Sequence, residues 1–254
     1  MGKFFIVFIT LFTVIISGCD GNDIKCENSS TDTPPSPKSK NHRIVAEQGD
    51  AAAQYKLGKS YADGNGVIKD VDEAAKWFRK AAEQNYAPAQ NSLGTCYSKG
   101  IGVPQSYDKA FEWFRKAAEQ NYAPAQYNLG MCYATNRGRV TGRAFDDNNE
   151  AVKWFHKAAK NGDVMAQYTL GRFYEYGGIK NMTNIHENHI EAVNWYRKAA
   201  EREHSRAQRN LGRCYLEGKG IAQNKTEAIN WYRKAAIRGD SYSKKILNDL
   251  GEVW

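Results

Sequence analysis

Residues Trp77 to Gln90 read Trp-Phe-Arg-Lys-Ala-Ala-Glu-Gln-Asn-Tyr-Ala-Pro-Ala-Gln, and the same letters return from Trp113 to Gln126, 36 residues on. A period of this length points to stacked supersecondary units, because one such unit cannot bury its own apolar face and must lean on its neighbours. Length alone, 254 residues, would suggest one or two compact domains, and the repeat overrides it. The Leu-Gly pair sets the register at Leu57, Leu93, Leu129, Leu170 and Leu211, with steps of 36, 36, 41 and 41. The units therefore run 51–86, 87–122, 123–163, 164–204 and 205–240. Ala46-Glu47-Gln48 matches Ala82-Glu83-Gln84 as a half-unit in front, and Leu247 falls in the leucine slot of a half-unit behind.

Each unit reads as two helices. The first carries Ala53, Leu57 and Tyr61, four residues apart, which is the spacing of one helical face. The glycine after each leucine costs about 1 kcal/mol against Ala in a helix interior, so its recurrence demands close approach of a partner helix. The second helix opens on a capping residue, Asp70, Ser106, Asp147, Asn188 or Asn224, with Glu or Lys three residues later. It then presents Ala74, Trp77, Phe78 and Ala81 to the core, and five of the six tryptophans share the Trp77 slot. A stacking platform for bases or sugars is the less economical account of that stripe. As core, Trp154→Ala is expected to cost about 3–5 kcal/mol.

The pattern Ala-x-x-x-Leu-Gly-x-x-Tyr-x-x-Gly-x-Gly-Val, then a cap, then Ala-x-x-Trp-Phe-x-Lys-Ala-Ala, resembles the Sel-one-like repeat, a longer relative of the tetratricopeptide repeat. The resemblance covers 51–240 and implies an all-α fold. The expected architecture is a right-handed α-solenoid of five antiparallel helix-hairpin repeats with half-repeat caps, spanning 43–254. It also implies an adaptor that holds other proteins in an extended groove, without catalysis and without a cofactor.

Units three and four depart from the pattern. Units one, two and five keep the Gly-x-Gly turn, where glycine supplies positive φ without steric cost, but these two replace it with connections five residues longer. Insertions in a solenoid map to one face, often the binding face. Arg137, Arg139 and Arg143 in the first loop are thus candidate partner contacts. His186 and His189 in the second are three apart around Glu187; this is not the His-Glu-x-x-His motif and no third ligand follows by spacing, so no metal is expected. On the first helices, Tyr127, Tyr168, Arg172, Arg209 and Arg213 lie outside the Ala/Leu/Tyr face. They complete the candidate binding set, since tyrosine and arginine are typical interface residues.

Cys96, Cys132 and Cys214 share one slot, and equivalent positions on stacked helices stand about 8–10 Å apart, too far for a disulfide. They read as small buried thiols. Cysteine-rich relatives, for which β-lactam binding has been suggested, carry paired cysteines in each unit, and this chain does not. Binding or modification of peptidoglycan or polysaccharide, including weak β-lactam binding, is the alternative to a protein scaffold. The scaffold is preferred because packing explains the repeated residues and no motif supplies a nucleophile with a base.

Ahead of the repeats, Lys3 precedes an apolar run from Phe4 to Ile16, the length of a secretory h-region and shorter than a membrane span. It ends in Ile16-Ser17-Gly18-Cys19, which resembles the bacterial lipobox. The resemblance implies a signal peptide over 1–18, lipidation of Cys19, and a periplasm-facing lipoprotein. Asp20 beside it favours the inner over the outer membrane. Residues 19–42, rich in Ser, Thr and Pro, read as a flexible tether containing Cys26.

The basic excess of 36 Lys and Arg over 28 Asp and Glu does not imply nucleic acid. Much of it recurs as Arg79-Lys80, Arg115-Lys116, Lys157, Arg197-Lys198 and Arg233-Lys234, towards the C-terminal ends of second helices, where cations suit the helix dipole and their stems cover aromatic rings. The expected partners are one or more proteins, and a membrane through the lipid.

Overall fold

The computed structural model describes residues 43–135, 144–177 and 187–253, and these are all-helical. Five hairpins follow in order: α1 (Ala51–Asp63) with α2 (Val71–Glu83), α3 (Ala87–Lys99) with α4 (Tyr107–Glu119), and α5 (Ala123–Ala134) with α6 (Ala144–Lys160). They continue as α7 (Val164–Tyr176) with α8 (His189–Glu201), and α9 (Ser205–Glu217) with α10 (Lys225–Ile237). A helical turn over 43–47 and α11 (Ser241–Asp249) close the two ends. Each helix packs on the next in chain order, within hairpins and between them, so the described residues form an α-solenoid. The half-units are used as expected: Ala46 packs with Ala53, Leu57 and Trp77, and Leu247 is fully buried against Tyr232.

Four of the expected caps form. Asp70, Ser106, Asn188 and Asn224 accept from the backbone N–H of Glu73, Lys109, Glu191 and Glu227. The fifth does not, because α6 starts at Ala144 and Asp147 lies inside it. The longer connection lets this helix grow by about a turn, to 17 residues.

The repeated glycine is explained by contact. A Cβ on Gly58, Gly94, Gly130 or Gly171 would stand 2.7, 2.7, 2.8 or 2.5 Å from the ring of Phe78, Phe114, Phe155 or Tyr196 on the partner helix. In the Gly-x-Gly turn the second glycine serves stacking: at φ 65°, Gly102 leaves no room for a side chain beside the Val71 carbonyl of the preceding unit.

The centre of each unit is therefore the ring next to the tryptophan. Phe155 is fully buried, as are Phe78, Tyr196 and Tyr232, whereas Trp113, Trp154 and Trp231 are half-buried. Trp77 and Trp195 are buried as well, at 8% exposed, but Trp154 is half-buried beside a fully buried Phe155, so in that unit the larger cost falls on Phe155→Ala.

A buried glutamine, one residue after the repeat alanine, ties each first helix back to the previous second helix. Gln54, Gln90, Gln126, Gln167 and Gln208 donate to the carbonyls of Ala46, Ala82, Ala118, Ala159 and Ala200 at 3.1–3.2 Å. In the first three units the amide oxygen also accepts, from Gln84, Gln120 and Asn161. In the last two that donor position holds Arg202 and Arg238, which turn to the Gly162 carbonyl and to Glu203, and the oxygens of Gln167 and Gln208 have no partner.

Candidate functional site

The basic pair at the end of each second helix is absorbed by the architecture. Lys80, Lys116, Lys157, Lys198 and Lys234 lie 4.0–4.4 Å over Trp77, Trp113, Trp154, Trp195 and Trp231. The preceding residue reaches forward: Arg79 donates to the Tyr97 hydroxyl at 2.9 Å, Arg197 to Tyr215 at 3.5 Å, and His156 sits 3.2 Å from Tyr174.

What varies is the outward side of the first helices. Lys56 and Lys59 of α1 are exposed, but Ser92, Thr95, Asn128 and Met131 of α3 and α5 are half-buried. Outward residues of the second helices, such as Lys76, Lys116 and Lys157, stay exposed. First helices of neighbouring units meet where Asn128 on α5 donates to Asn91 on α3 at 2.9 Å. Their outward sides, turned from the second helices, form one wall of the stack.

Part of the candidate set turns away from that wall. Tyr127 and Tyr168 are only 7% and 9% exposed. Their rings pack 5.6 Å from Phe155 and 6.1 Å from Tyr196, and Tyr168 also lies 4.6 Å from His204 at the start of the next unit. This row is a seam between units, and the two tyrosines are taken out of the free surface. Arg209, in the same row, pairs with Asp240 at 3.0 Å and stands 5.5 Å from the Tyr242 ring. Arg172 and Arg213 are half-buried on the wall. Arg137, Arg139, Arg143 and His186 lie outside the described residues, as do Cys19, Asp20 and Cys26. His189 opens α8 with Nε2 2.9 Å from a Glu187 oxygen.

One polar cluster was missed. Glu175 of α7 is buried, accepts from the Tyr196 hydroxyl at 2.6 Å and accepts from Arg213 of α9. The signal was present: its slot holds Ala62, Ser98, Ala134 and Leu216 in the other units. Burial, followed by the neighbouring carboxylate, holds the Tyr196 phenol well above its ordinary range, so it remains a donor. Burial also pushes the Cys96 and Cys214 thiols up to about 11, which keeps them protonated and unreactive.

Serial helical hairpins with a fixed packed side and a variable wall define a tetratricopeptide-like repeat protein. The chain belongs to the Sel1 repeat family: the Sel1 repeat model matches 51–86, 87–122, 123–163, 164–204 and 205–240. Among solved structures it is similar to c5321, a protective antigen present in uropathogenic Escherichia coli strains displaying an SLR fold. That match has 38% identity, a TM-score of 0.72, and covers 84% of this chain and 43% of that one. It is also similar to a Sel1 repeat protein from Oxalobacter formigenes, with 29% identity, a TM-score of 0.76, and coverage of 84% and 58%. The chain thus matches about half the length of these two relatives. No curated protein matches it.

Proposed function

We propose that the chain is a membrane-anchored, periplasm-facing scaffold that holds protein partners along the wall of α1, α3, α5, α7 and α9, without catalysing a reaction on them. One observation carries the reading. The side chains that recur in every unit are used in packing, while the wall between them changes from unit to unit and is left for recognition. Membership of the Sel1 repeat family supports a binding role. The lipobox-like Ile16-Ser17-Gly18-Cys19 supports the anchor, and Asp20 favours the inner membrane.

Two measurements test it. Labelled palmitate should enter the protein and fail to enter Cys19→Ala; equal labelling of both removes the anchor. A photo-crosslinking residue at Met131 on the wall should trap discrete protein adducts in cells, and the same residue at Lys153 on the outer side should not. Adducts from Lys153 alone would move the binding face to the second helices and overturn the wall.

A further inference from the structure

Glu175 is expensive to bury, and a buried ion pair seldom gains net stability over apolar packing of the same volume. Four units fill its slot with small or apolar residues and stack without it. The carboxylate therefore needs a reason beyond stability, and its hydrogen bonds supply one. Both oxygens are engaged, one by the Tyr196 hydroxyl and one by Arg213. Arg213 is held at the wall with 27% of its side chain exposed. One unit earlier, in the same repeat slot, Arg172 is steadied differently, 5.8 Å over the ring of Tyr176, which is itself exposed. The nearby acid Glu217 is engaged by Lys219 at 2.9 Å.

We propose that Arg172 and Arg213 form a pre-oriented pair of carboxylate receptors for an extended acidic segment of a partner protein lying across α7 and α9. The inference rests on the scaffold reading and names the partner's chemistry. Arginine's planar fork offers two parallel N–H donors to a carboxylate, and holding the fork in place beforehand lowers the entropy lost on binding. Equivalent positions on neighbouring helices stand about 8–10 Å apart. A polyproline-II segment has three residues per turn and advances about 3.1 Å per residue, so acidic residues three apart share one face and stand about 9 Å apart, matching the pair. Glu175 touches no partner and acts as a positioning residue for Arg213.

The test uses the full chain and fluorescence anisotropy with three labelled Gly/Ser peptides. One has Glu at every third position, one has Gln there, and one has the same Glu residues in a single block. The spaced Glu peptide should bind, the block peptide should bind several-fold more weakly, and the Gln peptide should not bind. Arg172→Gln should weaken the spaced peptide about tenfold, the worth of a charge-assisted hydrogen bond. Because Arg213→Gln alone would strand a buried carboxylate, the second variant is Glu175→Gln with Arg213→Gln, expected to lose a similar factor with its circular-dichroism melt retained. Equal binding of the Glu and Gln peptides, no binding of either, or an Arg172→Gln affinity within twofold of the parent overturns the inference. Polyphosphate competing as well as the spaced peptide at matched charge overturns it too. The scaffold reading fails separately, through the Met131 cross-links.

Discussion

A methyl group on Gly94 would stand 2.7 Å from the ring carbons of Phe114, closer than packed carbon atoms approach. The same notch-and-ring pair recurs in every hairpin, but it is looser in the last unit, where a Cβ on Gly212 would lie 3.3 Å from Tyr232. Gly94→Ala is accordingly expected to destabilise by about 1–3 kcal/mol, overpacking outweighing the gain of about 1 kcal/mol in helix propensity. Gly212→Ala should cost distinctly less. Urea midpoints of the two variants decide it, and a Gly94→Ala as stable as its parent would remove the notch as the reason for the glycine.

Phe155 and Trp154 are neighbours in sequence with different surroundings, one fully buried and one half-buried under Lys157. Phe155→Ala should cost about 3–5 kcal/mol, the large-to-small penalty of a closed core. Trp154→Ala should cost roughly half as much, since its rim position leaves a smaller cavity. Calorimetry of both variants would expose a reversed order, and with it a wrong account of the core.

The unpartnered oxygen of Gln167 can be given the donor that Gln54 and Gln90 already have. Arg202→Gln places a Gln84-like amide at the equivalent position, and should stabilise by about 0.5–1.5 kcal/mol, the net worth of a hydrogen bond. The exposed contact from Arg202 to the Gly162 carbonyl is lost, at smaller cost in solvent. An unchanged or lowered denaturation midpoint would show that the oxygen is already satisfied.

His204 caps α9 with Nδ1, which accepts from the Ala207 N–H at 3.1 Å. Burial lowers its pKa to about 4, so the unfolded chain takes up a proton first as the pH falls. The stability this histidine contributes is complete above its unfolded value near 6.5 and is lost between there and about 4, at up to about 1.4 kcal/mol per pH unit. Asp163 caps α7 and acts in the opposite sense, because burial raises its carboxyl to about 6 and acidification relieves that penalty. In His204→Asn, where the cap stays neutral, the stability advantage over the parent should grow from pH 6.5 down to 4. A difference that is constant with pH would remove the assignment to His204.

The hairpin order, the half-units, the notch glycines and four of the five caps were legible because each is written in local spacing that repeats. Trp154 and Phe155 were not ranked, since adjacent aromatics look alike until the notch opposite selects one. Tyr127 and Tyr168 looked free because a row that varies resembles a surface, yet the start of each following unit folds over that row. The bond from Arg213 to Glu175 joins residues 38 apart and breaks the repeat pattern at its acidic end, so only comparison of slots could have raised it. Asp147 failed as a cap because a lengthened connection gives the helix freedom to begin early.

The joint between units has two halves, a basic residue reaching forward and a tyrosine receiving it, as in Arg79 with Tyr97, His156 with Tyr174 and Arg197 with Tyr215. Excision of 87–122 would leave the letters from Trp77 to Gln90 running into the third unit just as Trp113 to Gln126 do now, with Arg79 facing Tyr133 in place of Tyr97. The array can therefore lose this unit without inventing an interface, and such a change alters reach while leaving the joints of the later units intact.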